Sequence, residues 1–423
     1  MGGLGYPLAQ PPAASFERRP IRGHEAASGP PKGPRQERET HLNNRHIGIA
    51  TSLVSVALLT LLAGGCGRRT SSEIPIGEYG SLSGDTAEFG VSTHNGIVLA
   101  IEQANANGGV LGKKIRLCTE DDRSDAAEAV TAVSKLITQN GVVAVLGEVA
   151  SSRSIAAAPV CQTNHIPMIS PSSTNVNVTK VGDYIFRVCF TDPFQGSVMA
   201  KFARNTLKLN RVAVLKDIRQ DYSVGLSDSF IATFRKMGGT IVALASFSGG
   251  DTDFRPQLTS IKAANPEAIY IPAYYQAVGL IARQARELGI TVPLMGGDGW
   301  DAPGLVRIAG KAVEGCYFSN HYSVDSNNPT SKAFVQAYEK RFGEKPNALA
   351  AMGYDAANVL IDALRRARTT KGPRLRDAIA ATKSFPGVTG TITIGPDRNA
   401  VKPAVVLQVR SGKFVLVQTV PPQ

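Results

Sequence analysis

The chain is poor in the residues that carry metal and thiol chemistry. It holds five cysteines and six histidines in 423 residues, with no CxxC pair and no HExxH spacing. Cys118, Cys161, Cys189 and Cys316 have no histidine at ligand spacing, so the common zinc patterns are excluded and no metal site is expected. An exported setting permits disulfides, yet each of the four sits in an apolar context that suits a buried free thiol equally, so no pairing follows. Catalytic signatures are scarce too. Gly80-Ser-Leu-Ser-Gly84 has Leu where a nucleophile elbow needs Ser. Gly108-Gly-Val-Leu-Gly-Lys-Lys114 is one residue short of a phosphate loop and lacks the hydroxyl after Lys. No GxGxxG follows the first strand, so no nucleotide cofactor is indicated. The net charge is +12, but no basic run is interleaved with aromatics, which argues against nucleic acid.

The chain also lacks a long apolar run. Leu53 to Ala63 is too short for a membrane span and has the form of a signal h-region, preceded by Arg45 and His46. It closes on Leu62-Ala-Gly-Gly-Cys66, which resembles a bacterial lipobox. That resemblance implies cleavage before Cys66 and lipidation of its sulfur; an ordinary secretory signal or an uncleaved anchor are the alternatives. Residues 1–44 are rich in Pro, Gly and Arg with no apolar period and read as disordered, or as an extension upstream of a true start near Leu42. Residues 45–65 are then the signal peptide and 66–72 a polar tether.

What is present is an alternation of strands and helices. Ile74 to Gly80 reads as a strand, Phe89 to Asn107 as a helix with Ile97, Val98, Ile101 and Ala104 at helical spacing, and Lys114 to Cys118 as a second strand. Val142 to Gly147 is apolar and β-branched, the pattern of a buried parallel strand. Ser151 or Ser152 stands where a helix N-cap belongs, and Ile166 to Ile169 opens into Ser170-Pro-Ser-Ser-Thr174. Two strand ends thus deliver hydroxyls and backbone N–H groups to one sheet edge, with no carboxylate at either tip. Strands near 211–216, 240–246, 267–272, 292–295 and 314–319, with helices between them, form a second series. The long helices Asn328 to Phe342 and Asn347 to Arg368 have no strand between them and must cover an existing sheet. The pattern predicts an α/β protein of two doubly wound parallel-sheet lobes joined by a three-strand hinge. Lobe one takes residues 73–190 plus 320–395 and lobe two 191–319 plus 396–423, with Pro193, Asn320 and Gly395 at the crossings.

In open α/β sheets ligands bind beyond the carboxyl ends of the strands. Ser151, Ser172 and Thr174 lie there in lobe one. Tyr222, Tyr274 and Asp298 lie there in lobe two. Each has a plainer reading: a capping hydroxyl, a core ring, or, for Asp298 between two glycines, a turn former. Strand alternation also keeps Tyr274 and Tyr275 from both facing the cleft. Taken together, hydroxyls suit a carboxylate and Asp298 an ammonium. Tyr222, Tyr274, Phe89 and Trp300 supply apolar walls, so the set fits a small zwitterion.

Residues 73–420 resemble the periplasmic substrate-binding proteins of branched-chain amino-acid ABC importers, which have a type I periplasmic-binding fold. The resemblance is carried by Ser83-Gly84, Phe89-Gly90, the run Asn95 to Gly109, Asp121-Asp122, Ser151-Ser152, Ile169 to Thr174, Asp221-Tyr222 and Gly353-Tyr-Asp-Ala356. It implies that Ser151 and Thr174 hold the ligand carboxylate. It further implies that the Ser172 carbonyl, the Thr174 hydroxyl and Asp298 hold the ammonium, and that Phe89, Tyr222 and Tyr274 wall the pocket. Asp stands at 298 where Glu is frequent in the family, and the cysteine pair of some members is replaced near Asp125 and Ala150. The expected protein is a lipid-anchored, monomeric solute-binding component in the periplasm or at the cell surface. It delivers an amino acid, branched-chain or related, to a permease and ATPase complex without bond chemistry. The competing readings are a ligand-sensing lobe for amides or other small organic molecules and a hydrolase on the same fold. The first lacks a signalling domain and the second a nucleophile–base pair.

Overall fold

The computed structural model describes residues 73–422. The expectations placed on residues 1–72, Cys66 among them, lie outside the described residues.

The first sheet is built from β1 (Glu73–Gly80), α1 (Ala87–Ala106), β2 (Lys114–Asp121), α2 (Ala126–Thr138), β3 (Val145–Leu146), α3 (Ser151–Thr163), β4 (Met168–Ser170), α4 (Asn177–Lys180) and β5 (Ile185–Arg187). Its order is β2-β1-β3-β4-β5, and every pairing is parallel. β3 is shorter than the apolar run around it. Val143 still donates to Pro75 and Val145 to Pro167, but a proline has no N–H to return, so the regular ladder is clipped on both sides. The helix ends also differ from expectation. Asp125 caps α2 by accepting from Ala127 and Glu128 at 2.7 and 3.0 Å. Ala150 occupies the N-cap of α3 with no side-chain bond, and Ser151 is its first helical residue.

The second series runs through α5 (Asp192–Lys201), β6 (Arg211–Asp217), α6 (Asp221–Lys236), β7 (Thr240–Phe247), α7 (Arg255–Ala263), β8 (Ala268–Tyr270), α8 (Tyr275–Glu287), β9 (Leu294–Gly296), α9 (Pro303–Ala309) and β10 (Tyr317–Asn320). Pro193, expected in an open crossing, lies in the first turn of α5, where its missing N–H has no intrahelical partner to lose. The short helix α9 was not anticipated; Pro303 starts it for the same reason.

Three helices follow, α10 (Pro329–Phe342), α11 (Ala348–Ala367) and α12 (Gly372–Ala380), then β11 (Phe385–Gly387), β12 (Gly390–Ile394), β13 (Ala400–Val401), β14 (Ala404–Arg410) and β15 (Lys413–Val420). The second sheet has the order β15-β14-β10-β9-β8-β6-β7. It is parallel from β10 to β7, with β14 antiparallel to both β10 and β15. β11, β12 and β13 form a small antiparallel sheet of their own. Ile392, Ile394 and Ala400 join the core of the first sheet, with Leu360 and Ala356 of α11, and the chain re-enters the second sheet at Ala404. The two lobes are thus joined by three passages of chain, as the strand order requires.

α11 packs on α1 at backbone contact. A Cβ at Gly96 would stand 1.9 Å from the Ala350 carbonyl oxygen, and one at Gly353 would stand 2.4 Å from that of Thr93. Only hydrogen fits between these helices, which gives the Gly in Gly353-Tyr-Asp-Ala356 a steric cause. Gly96→Val should therefore force the two helices apart and destabilise the protein by about 1–3 kcal/mol. Denaturant titration checks this, and an unchanged midpoint would mean the contact is slack.

Candidate ligand-binding site

The parallel strands of both sheets end toward one another, and the loops after them meet. Direct bonds cross this junction. The Ser152 hydroxyl accepts from the Asp221 N–H at 2.9 Å, and the Asn175 amide donates to the Asp221 carbonyl at 2.7 Å. Glu88, at the start of α1, accepts from the Gly304 N–H of α9 at 2.7 Å and pairs with Arg307. In the reverse sense, Asp301 accepts from the Ala348 N–H of α11 at 2.7 Å. Each lobe thus uses a carboxylate to satisfy an orphan donor at a helix start in the other.

Between the loops lies a small, nearly filled cavity, lined by Phe89, Val149 and Ser172 from one side, Tyr222, Tyr274, Asp298 and Gly299 from the other, and Leu349 from the start of α11. Tyr222 and Tyr274 are stacked at 5.2 Å, and Phe89 meets Tyr274 edge-on at 5.5 Å. The Tyr222 hydroxyl accepts from the Gly299 N–H at 3.1 Å. A Cβ at Gly299 would come within 3.0 Å of the Tyr274 ring, so this glycine lets the aromatic wall close over the turn.

Tyr274 is the N-cap of α8 and not a strand residue. Strand alternation therefore does not apply, and both Tyr274 and Tyr275 reach Phe89. Trp300 is not a wall. It is fully buried, donates to the Ile271 carbonyl at 2.9 Å and packs on Phe318 in the core of the second sheet.

Polar groups at the site divide into satisfied and waiting. The Ser151 hydroxyl is off the cavity surface and accepts from the Asn175 N–H at 3.1 Å. Ser172 Oγ and Tyr274 Oη are buried with no partner, while the Thr174 hydroxyl lies off the cavity lining and faces the buried Asp192 carboxyl. Burial raises the Tyr274 phenol well above its ordinary range, so it stays a neutral donor. Asp298 is 6% exposed. Its Oδ1 accepts from Gln195 Nε2 at 2.7 Å and its Oδ2 meets His321 Nε2 at 3.0 Å. A buried carboxylate held by two donors keeps lone pairs for a third, and a cation best offsets its desolvation.

Beneath the loop of Ser151 lies a buried charge cluster. The loop does carry a carboxylate, Glu148, contrary to expectation, but it is spent internally. It accepts from Ser81 at 3.1 Å and from the Ala150 N–H, and it pairs with Arg153 Nε at 3.3 Å. Burial, reinforced by the Glu148 charge, pushes Asp122 up to about 7. Arg187 is fully buried and donates to the Ser173 and Asn175 carbonyls at 2.5 and 2.7 Å, fixing the loop that presents Ser172 and Thr174.

Sequence reasoning missed Gln195, His321, Val149 and Leu349. Gln195 was hidden by reading 191–196 as a crossover; with α5 starting at Asp192 it stands one turn in, on the face toward Asp298. His321 directly follows Asn320, which was named only as a hinge position.

The fold and this cleft define a two-lobed ligand-binding protein of the periplasmic type. Residues 73–413 match the periplasmic binding protein family, and the chain belongs to it. Among curated relatives it is 31% identical over 326 residues to the Leu/Ile/Val-binding protein BraC3 of Rhizobium johnstonii, covering 77% of this chain and 88% of that one. Among solved structures it resembles the leucine binding protein LivK of Thermotoga maritima, with 41% identity, a TM-score of 0.80 and coverage of 82% and 99%. It also resembles LivJ of Streptococcus pneumoniae in complex with isoleucine, with 34% identity, a TM-score of 0.78 and coverage of 82% and 99%.

The buried acids set a pH dependence. Burial pushes Asp192 up to about 8 and Asp301 to about 6. A carboxyl whose folded value lies above its unfolded one binds more protons when folded, so its contribution is present at low pH and is lost as pH rises through the folded value. The unliganded protein should therefore lose thermal stability from about pH 4, the unfolded carboxylate value, up to about 8, the folded Asp192 value, and Asp192→Asn should flatten the upper part of that slope. Calorimetric scans across the range check it.

Proposed function

We propose that the mature chain is the extracytoplasmic solute-binding component of an ABC importer and that its ligand is a small amino acid, branched-chain or closely related. The observation that carries this reading is the cavity itself. Its lining combines one buried acid, Asp298, the partnerless hydroxyls of Ser172 and Tyr274, and the three rings of Phe89, Tyr222 and Tyr274. A zwitterion with a short apolar side chain satisfies all three at once. The names of the relatives, which bind leucine, isoleucine or valine, point the same way.

In this reading Ser151, Ser172 and Thr174 receive the carboxylate, with Ser151 acting from just outside the cavity wall through its free hydroxyl proton. Asp298 receives the ammonium. Phe89, Tyr222 and Tyr274 enclose the side chain. Residues 73–190 plus 320–395 move as one lobe and 191–319 plus 396–423 as the other, and the bonds from Glu88, Asp301 and Ser152 form on closure. Open and closed states exchange, and the ligand favours the closed one by the contacts that only closure makes. The protein performs no bond chemistry and needs no cofactor or metal. It acts as a monomer in the periplasm or at the cell surface, held to the membrane by lipid on Cys66, and hands its ligand to a permease and ATPase complex.

A calorimetric or thermal-shift screen of the amino acids, with amides and simple carboxylates as competitors, tests the ligand class. Asp298→Ala should weaken amino-acid binding by about 100-fold or more, the scale of a lost charge-assisted bond in a dry site. Undiminished affinity would remove Asp298 from the site, and turnover of any bound compound would replace transport with catalysis. Cys66→Ser should release the protein from the membrane fraction; retention would mean an anchor other than lipid.

A further inference from the structure

We propose that His321 is a positioning residue for amine recognition, a donor on the connection between the lobes that aligns Asp298 for the ligand's ammonium. The inference rests on the reading of Asp298 given above and adds a residue that neither the motifs nor the aromatic box points to.

Asp298 sits in a single turn of 3-10 helix, yet neither of its two fixing partners comes from that turn. Gln195 comes from α5, which opens the second series, and His321 follows the last residue of β10, where the chain leaves the second sheet. The imidazole is fully buried. Its ring lies against Phe190, the residue two before α5, with centroids 3.8 Å apart and planes 32° apart, and its backbone N–H donates to Asn320 Oδ1 at 2.8 Å. The ring is thus clamped between two of the passages joining the lobes, and its Nε2 meets the acid.

An ionised carboxylate can only accept, so the proton of a neutral His321 is on Nε2. Nδ1 is left buried without a partner. A neutral ring in this tautomer fixes the carboxylate plane without neutralising it. A second proton would place a cation 3.0 Å from the oxygen that the ammonium needs, and two cations would then compete for one acid. The charged groups facing the ring are Asp298 from its turn and Lys402 from between β13 and β14. Asp192, at the start of α5, is the further carboxyl near Asp298, whose charge adds to the rise of Asp192. Burial lowers the proton affinity of His321, Asp298 opposes that, and Lys402 adds to it. The ligand-ready form is therefore the neutral one.

The test uses the full chain, the amino acid that binds most tightly in the screen above, and the same molecule without its amine (for leucine, 4-methylpentanoate). Calorimetry is run on wild type, His321→Leu and His321→Gln. The leucine substitution should weaken the amino acid about 10- to 100-fold, the worth of a bond to a charged group, and the deaminated acid less than about threefold by the same scale. The glutamine substitution, which keeps an N–H donor, should restore most of the loss at pH 7.5. At pH values well below the ordinary histidine value of about 6.5, because burial lowers this ring, wild type should lose affinity more steeply than His321→Gln, by up to about tenfold per pH unit for one proton. Equal loss for both ligands, or superposable pH profiles, would reduce His321 to a packing residue. Where the deaminated acid binds wild type too weakly to measure, the pH comparison decides. If no amino acid binds wild type, the functional reading fails; if one binds and His321→Leu leaves it unchanged, only this proposal does.

Discussion

Asp298 is a carboxylate taken almost wholly out of water, and the rest of the cleft answers to that cost. Burying an ionised carboxylate is unfavourable by several kcal/mol unless donors and a counter-charge meet it. Gln195 and His321 supply the donors. A guest cation completes the set in the proposed closed state. The aromatic box of Phe89, Tyr222 and Tyr274 excludes water, which makes each of those interactions stronger than it would be in solvent. In the proposed reading, an apolar guest without an amine leaves the acid uncompensated.

The fold makes such a site available at modest cost. Parallel strands send all their carboxyl ends to one edge, and two sheets facing edge to edge bring both sets of loops together. Helix starts there carry unpaired N–H groups, and the cross-lobe bonds of Glu88 and Asp301 use them. In the proposed closure, these bonds form and cap the helix starts in the same event. The loop behind Ser172 and Thr174 is held from beneath by Arg187, whose guanidinium takes two main-chain carbonyls. The Ser172 hydroxyl on a loop so fixed can remain without a partner, because the loop cannot collapse to satisfy it.

Much of this was legible from residue order. The alternation of apolar β-branched runs with helical periods gave the sheet series, and the serine-rich loops after Leu146 and Ser170 were placed at the right edge. Failures had local causes. Prolines at 75 and 167 clipped β3 without changing its pairing. Pro193, expected at an open crossing, stands in the first turn of α5, where proline is tolerated. Trp300 was drawn toward the pocket by its neighbour Asp298, while the 3-10 turn sends successive residues in different directions, one to the cavity and one to the core.

The sequence by itself determined the class of fold and the chemistry on offer at the strand ends: hydroxyls, carboxylates and aromatic rings. Those follow from local pattern, since strand and helix periods and residue types are read within a few positions of one another. Only the tertiary structure decided which groups are spent and which wait. Glu148 and Ser151 are satisfied by neighbours and Thr174 faces Asp192, whereas Ser172 and Tyr274 have no partner. It alone joined His321 to an acid 23 residues away in sequence and Gln195 to the same acid from 103 away. Hydrogen-bond satisfaction depends on what the folded chain brings within about 3 Å, and no period in the sequence encodes that distance.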